Sequence, residues 1–232
     1  HEFIINNMNE NNSLLALQGP TSRAVLEKMS NNNFQNFPFY KFRKITLLGE
    51  EVILSRTGYT GELGYEIIAN HNHIKLLWDC FMKNQVIPTG LAVRDILRLE
   101  MKYCLYGNDI DETITPLEAD LDWITKLTKE DFIGKNTLLE QKNNGVQKKL
   151  IGFKMLDKCI PRKGYKIFSS DSEIGEVTSG TFSLRLKLGI GIGYVDSNFS
   201  KVNTNIFLNV RGTRNLGKVV KTPFIKEYSL HD

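Results

Sequence analysis

The chain has 232 residues, 41% of them hydrophobic and 24% charged, with a formal net charge of +4. This is globular composition, long enough for one large domain or two ordinary ones. The mild positive charge suits an anionic small ligand or an acidic partner and gives no case for nucleic acid. No apolar run approaches the roughly 20 residues of a membrane-spanning helix, so no membrane role is expected. The opening HEFIINNMNENN has neither the basic start nor the apolar core of a signal peptide. Cys80, Cys104 and Cys159 are odd in number and far apart, which argues against a disulfide framework and a zinc site and for a reducing compartment.

In chain order, Leu14 to Gln18 is a short apolar run fit for a buried strand. Gly19-Pro20 turns the chain, Thr21 is a candidate N-cap, and Ala24, Val25, Leu26 and Met29 give the next helix its apolar side. Phe42 to Leu48 and Glu51 to Ser55 predict two strands joined at Gly49-Glu50. The run Gly58-Tyr59-Thr60-Gly61-Glu62-Leu63-Gly64 is glycine-rich like a phosphate loop. The dinucleotide fingerprint needs a helix directly afterwards, whereas Tyr65 to Ala69 predicts a strand, so a connection between strands is the better reading. His71 to Asn84 is helical, with Ile74, Leu77, Trp78 and Phe81 on one face. A second helix is expected from Leu91 to Tyr103, with Ala92, Val93, Ile96, Leu97 and Leu99 as core candidates. On it Arg94 and Arg98 stand one turn apart. Asp95 and Glu100 fall on other faces, so the two guanidinium groups call for tertiary carboxylates or for a ligand.

Leu121 to Leu127 predicts strand or extended structure, and a short helix follows Gly134-Lys135. The polar, basic break around Asn143-Asn144-Gly145 is the expected domain boundary. Beyond it strands recur at short intervals from Leu150 to Lys221, the pattern of an all-β sandwich or barrel. Gly189, Gly191 and Gly193 alternate with isoleucine, which puts them on one side of a strand and leaves room for a packing neighbour.

The segment Leu97 to Leu121 breaks at Tyr106-Gly107-Asn108-Asp109, a turn sequence, and carries many carboxylates. Their spacing does not fit the calcium-loop template, so no metal is expected. No histidine is close in sequence to Cys104, and His1, His71, His73 and His231 complete no Ser-His or Cys-His pattern. What remains is a set of carboxylates, arginines and tyrosines without an obvious nucleophile.

The run RLEMKYCLYGNDIDETITPLEADLDW resembles the aminomethyltransferases, the T-proteins of the glycine cleavage system. The likeness continues through LLALQGPTSRAVL, SRTGYTGELGYEI, GLAVRDILRLE, DFIGK, IGEVTSG and KVVKTPF, and so covers nearly the whole chain. It implies an α+β protein: a folate-binding domain of mixed helices and antiparallel strands in residues 1–145, partial here, followed by a C-terminal β-barrel domain in 146–232. It implies a transferase that moves a one-carbon unit from the aminomethyl-lipoyl arm of the H-protein to tetrahydrofolate and releases ammonia. By its motifs Glu66 would hold the pterin edge, where a carboxylate can accept paired hydrogen bonds. Arg94 would bind the carboxylates of the folate tail, which suit a guanidinium fork. Tyr59, Tyr103 and Tyr228 would line the pocket, while Glu62 and Arg98 would be structural.

The family's essential aspartate lies upstream of its LQGP motif, and this chain begins just before that motif. The resemblance therefore implies an N-terminally truncated T-protein with part of the site and little activity of its own. Ser183-Leu184 stands where the family usually has Ser-Pro. Two rival classes share motifs: the folate domain of sarcosine or dimethylglycine dehydrogenases, and the folate-binding proteins of iron–sulfur assembly. The latter carry a K-G-C-Y-x-G-Q-E run that is missing here. The expected compartment is the mitochondrial matrix, or the cytoplasm of a bacterium.

Overall fold

The structure, a computed structural model, describes residues 3–232. They form two compact units, one running up to Arg94 and including Glu227–Asp232, the other Asp95–Lys226.

The first unit is built on four antiparallel strands, β1 (Asn12–Gln18), β2 (Phe42–Leu47), β3 (Glu50–Ser55) and β4 (Gly64–Asn70), in the order β1-β4-β3-β2. Period-two alternation divides each strand between two faces. Leu17, Val52, Leu54, Tyr65, Ile67 and Ala69 point to one side. There they meet Leu26 of α1 (Ser22–Ser30) and Leu77 and Phe81 of α2 (His71–Lys83). The β2–β3 hairpin turns at Leu48 and Gly49, both at positive φ (50° and 88°), the backbone that suits right-twisted strands. Asn70 caps α2 by accepting from the His73 amide.

Three expectations need correction. Thr21 does precede α1, but its backbone is already helical and its hydroxyl makes no capping bond. Trp78 lies off the buried stripe of α2 and is 45% exposed. α3 is shorter than its pattern suggests, Leu91–Glu100; Lys102 beyond it takes φ +57° and ends the spiral. Of the five expected core residues on α3 only Leu99 is fully buried, because the helix begins in the open, with Leu91 and Val93 exposed.

In the second unit the expected barrel is a closed, six-stranded, antiparallel one in the order β10-β5-β8-β7-β6-β9. Its strands are β5 (Lys148–Met155), β6 (Lys166–Ser169), β7 (Ser172–Ser183), β8 (Leu188–Asp196), β9 (Asn205–Val210) and β10 (Thr213–Val220). Ile151, Phe153, Ile167, Val177, Leu208 and Val219 are among the side chains of its interior. The alternating glycines of β8 do make room: a Cβ at Gly191 would stand 2.5 Å from the Phe153 ring, and one at Gly193 the same distance from the Glu176 carbonyl. The fold class is thus α+β, with helices on an antiparallel sheet followed by a barrel. α4 (Lys135–Asn144) lies where a short helix is expected. Residues 121–127, expected to be extended, are instead a series of turns, with Trp123 67% exposed.

The Phe153 contact gives a test of the packing. Gly191→Ala should lower stability by about 1–3 kcal/mol, the usual cost of overpacking a filled core. Chemical denaturation would show it as a lower midpoint with an unchanged slope.

Candidate functional site

In the first unit the glycine-rich run 58–64 crosses from β3 to β4 as an irregular loop. It is held from beneath by Gln18, at the end of β1. The Gln18 amide donates to the carbonyls of Thr57 and Tyr65, both at 3.2 Å, and its Oε1 accepts from the Thr60 hydroxyl at 3.0 Å. Gly58 and Gly64 close on the same amide; a Cβ at either would stand 2.0 or 2.3 Å from its oxygen. That contact accounts for two of the glycines, and Gly61 at φ +75° accounts for the third.

The loop orders two of the expected site residues. Glu66 is half-buried on β4, opposite Ala16 of β1 and Ser55 of β3. The Thr57 hydroxyl donates to its Oε2. Tyr59 lies under the guanidinium of Arg94, 4.5 Å from ring centroid to Cζ, a distance at which a cation is attracted to the ring face. Arg94 is exposed. Among the described residues it pairs with that ring and with no carboxylate. It also lines a cavity of about 370 Å³ walled by Leu14 and Ala16 of β1, by Trp78 and Met82 of α2 and by Ile87. Glu66 is not in its lining, but shares a sheet face with Ala16, its partner across β1 and β4.

Tyr228 belongs to the tail that is strapped onto this unit. Glu62 is buried and its Oε2 accepts from both the amide and the hydroxyl of Ser229. The buried Arg56 donates to the Leu230 carbonyl at 2.8 Å. Just before these anchors Tyr228 is 38% exposed, its ring 6.5 Å from that of His231. Glu62 thus has the loop-holding role that its position suggests.

Tyr103 is in the second unit, half-buried, just past α3. Its carbonyl accepts from Arg98, and its amide donates to the Arg98 carbonyl. Arg98 itself is 1% exposed and fully engaged. It pairs with Asp109 at 2.7 Å, donates to the Ser179 hydroxyl at 2.8 Å, and reaches Asp95 three residues back at 2.7 Å. Arg98 is therefore structural, as expected. Asp95, assigned to another face by the sequence reading, is nevertheless one of its partners, because residues three apart on a helix are neighbours.

Sequence reasoning missed Gln18, Thr57 and Asp109. The two LQGP and GYTGE motifs give the only sequence signal for the first; nothing local marks the others. Cys104 offers no thiolate: burial pushes its thiol up to about 11, with Asp109 adding to the effect. Among the described residues no group of three or more His, Cys, Asp or Glu side chains is placed to hold a metal ion. No helix among them is long and apolar enough to cross a membrane.

An antiparallel sheet that carries a carboxylate on β4 and a tyrosine–arginine pair beside its glycine-rich loop, joined in sequence to a closed barrel, defines the class. The profile described as GCVT N-terminal domain matches residues 2–129, and the glycine cleavage T-protein C-terminal barrel domain matches residues 148–226. The chain belongs to the glycine cleavage T-protein family. More particularly, it is 48% identical over 223 residues to an aminomethyltransferase of Halothermothrix orenii, which covers 94% of this chain and 62% of that protein. It is 43% identical over 229 residues to one of Chloroherpeton thalassium, covering 97% of this chain and 63% of the relative. The crystal structure of the glycine cleavage system aminomethyltransferase T from Bartonella henselae superposes with a TM-score of 0.87 at 31% identity. That match covers 94% of this chain and 61% of the other. The chain thus spans a little over three fifths of the length of these relatives.

Two outcomes follow from the site geometry. Asp109→Ala should cost about 3–5 kcal/mol, because it strands the Arg98 charge in the interior; a urea titration that left stability unchanged would contradict the network. Cys104 should react with iodoacetamide at pH 8 roughly 100-fold more slowly than an unhindered thiol, which peptide mapping after timed labelling would measure.

Proposed function

We propose that this chain forms the larger part of a tetrahydrofolate-dependent aminomethyltransferase of glycine cleavage. In this reading tetrahydrofolate is the acceptor, the aminomethyl-lipoyl H-protein is the donor and partner, and ammonia is released. Residues 1–145 supply the folate-binding portion and 146–232 the barrel domain.

Arg94 carries the reading. Of two arginines one turn apart, Arg98 is consumed by internal carboxylates, while Arg94 stands exposed over Tyr59 with a cavity beside it. An exposed guanidinium steadied by a ring is suited to the carboxylates of a folate tail. The Tyr59 ring adds a flat apolar surface for the ligand's own rings. Glu66, with one oxygen occupied by Thr57, keeps its other oxygen for the pterin edge. Tyr228, in the same unit, is proposed to contact the ligand as well; Tyr103 is assigned to it by the family motif alone. The chain's own work here is to bind and orient.

The comparisons support this reading over the dehydrogenase folate domain and the iron–sulfur assembly proteins, since the relatives above are named aminomethyltransferases. Their organisms are bacteria, which favours a bacterial cytoplasm over the mitochondrial matrix as the compartment.

Calorimetric titration of tetrahydrofolate tests it. Arg94→Ala should weaken binding about 10- to 150-fold, the 1.5–3 kcal/mol of a hydrogen bond to a charged group, and Arg94→Lys should not restore it. Wild-type affinity in Arg94→Ala would discard the assignment of the tail, and no binding by the unaltered chain would discard the folate reading itself.

A further inference from the structure

We propose that the cavity at one mouth of the barrel, ringed by Lys102, Lys149 and Lys221, binds a small dianion, a phosphate or a pair of carboxylates. The cavity has a volume of about 300 Å³ and lies wholly within the second unit. It is independent of the folate reading.

The inference begins with barrel periodicity. On β5, Ile151 and Phe153 point into the barrel, so Lys149 two residues earlier takes the same side. On the neighbouring β10, Val219 points inward and Lys221 continues that side past the strand's end. Where an apolar layer would close the barrel, two ammonium groups are set instead on adjacent strands. Like charges placed so closely on one face repel. Lys102 adds a third: its side chain is only 10% exposed, and it lines the same cavity.

One carboxylate lines the cavity with them, and it meets two of the three. Asp120 accepts from Lys102 and pairs with Lys149 at 3.0 Å. Burial would raise its carboxyl, but the two ammonium groups outweigh that and hold it below the ordinary carboxylate range. Asp120 is therefore a fixed negative charge, and the cavity keeps two uncompensated positive ones. Lys102 and Asp120 both hold left-handed backbone, φ +57° and +60°. Lysine acts on phosphate and carboxylate as a point charge, and the Thr222 side chain at the rim can add a hydroxyl donor. The volume lies at the lower end of small-molecule sites.

Isothermal titration of the full chain with inorganic phosphate at pH 7.5, and separately with succinate, at fixed low ionic strength would test this. Saturable one-to-one binding of either is expected; which of them binds tells phosphate from carboxylate ligands. Lys221→Gln alters an exposed side chain and should weaken binding roughly tenfold, as loss of one charged hydrogen bond does. Asp120→Asn should tighten it, since the competing negative charge is removed. Two results would overturn the proposal: no saturation by either anion, or binding that Lys221→Gln leaves unchanged. If Asp120→Asn fails to fold, the Lys221 and Lys149→Gln titrations decide alone.

Discussion

The second unit depends on one buried ion pair. Arg98, on the last turn of α3, and Asp109, at the end of the Tyr106–Asp109 turn, are each 1% exposed and lie 2.7 Å apart. Two charges are withdrawn from water here, at a cost that attraction alone seldom repays. The surroundings make up the difference. Asp109 accepts from the Leu105 amide and from the hydroxyls of Thr178 and Ser179, while Arg98 holds the Tyr103 carbonyl and Ser179. One network therefore fixes three things relative to each other: the end of α3, the loop 103–109 and strand β7. Such a pair stabilises little against an apolar substitute, but it permits only one arrangement of those segments.

The first unit has its own constraint in Gln18. A loop of eight residues between two strands has many conformations open to it. Three bonds from a single side chain remove most of them, and two glycines let the backbone approach that side chain closely enough to be held. The consequence passes directly to the site. Thr57 is fixed at its backbone by Gln18, and its hydroxyl orients Glu66; Tyr59, two residues on, is the surface against which Arg94 rests. The LQGP and GYTGE motifs are distant in sequence, yet β1 and β4 are paired neighbours, so the two motifs are one structural feature.

What was legible in the sequence was what short-range pattern encodes. Short apolar and alternating runs located the strands of both units, and the spacing of the glycines in β8 announced a close packing neighbour, which at Gly191 is Phe153. The likeness to a known family gave the closed barrel its place. What failed were judgements that depend on distant packing. The apolar period on α3 implied burial from Ala92 onward, but Ala92 and Val93 are exposed. Residues 121–127 carry apolar side chains that suggested a strand, yet backbone turns took precedence because no partner strand is there to pair with. The partners of Arg98 were unreadable in the same way: Ser179 lies 81 residues away, and its meeting with Arg98 is a property of the barrel, not of either segment. For the candidate site, chemical types and the family motif singled out Glu66, Tyr59 and Arg94. Of the supports beneath them, Gln18 is marked only by its place in the LQGP motif, and Thr57 by nothing that reveals its bond to Glu66.

The carboxylates between Asp109 and Asp122 show why density is a poor guide to metal chemistry. A cation site requires oxygen atoms left over after the protein's own donors have been served. Here they are not left over. Asp109 is spent on Arg98, and Asp120 on Lys102 and Lys149. Asp111 accepts from the amide and hydroxyl of Thr113, which hold its carboxyl below the usual range. Glu118 accepts from the Thr115 amide and hydroxyl, while the Glu118 amide donates back to the Thr115 hydroxyl. That reciprocal pair has the spacing of a capping box, Thr-x-x-Glu, closing a single turn after Pro116. Four of the six acids in this set, Asp109, Asp111, Glu118 and Asp120, are thus explained by donors within the fold, and the run is the trace of a segment that has little regular structure and is pinned by its side chains instead.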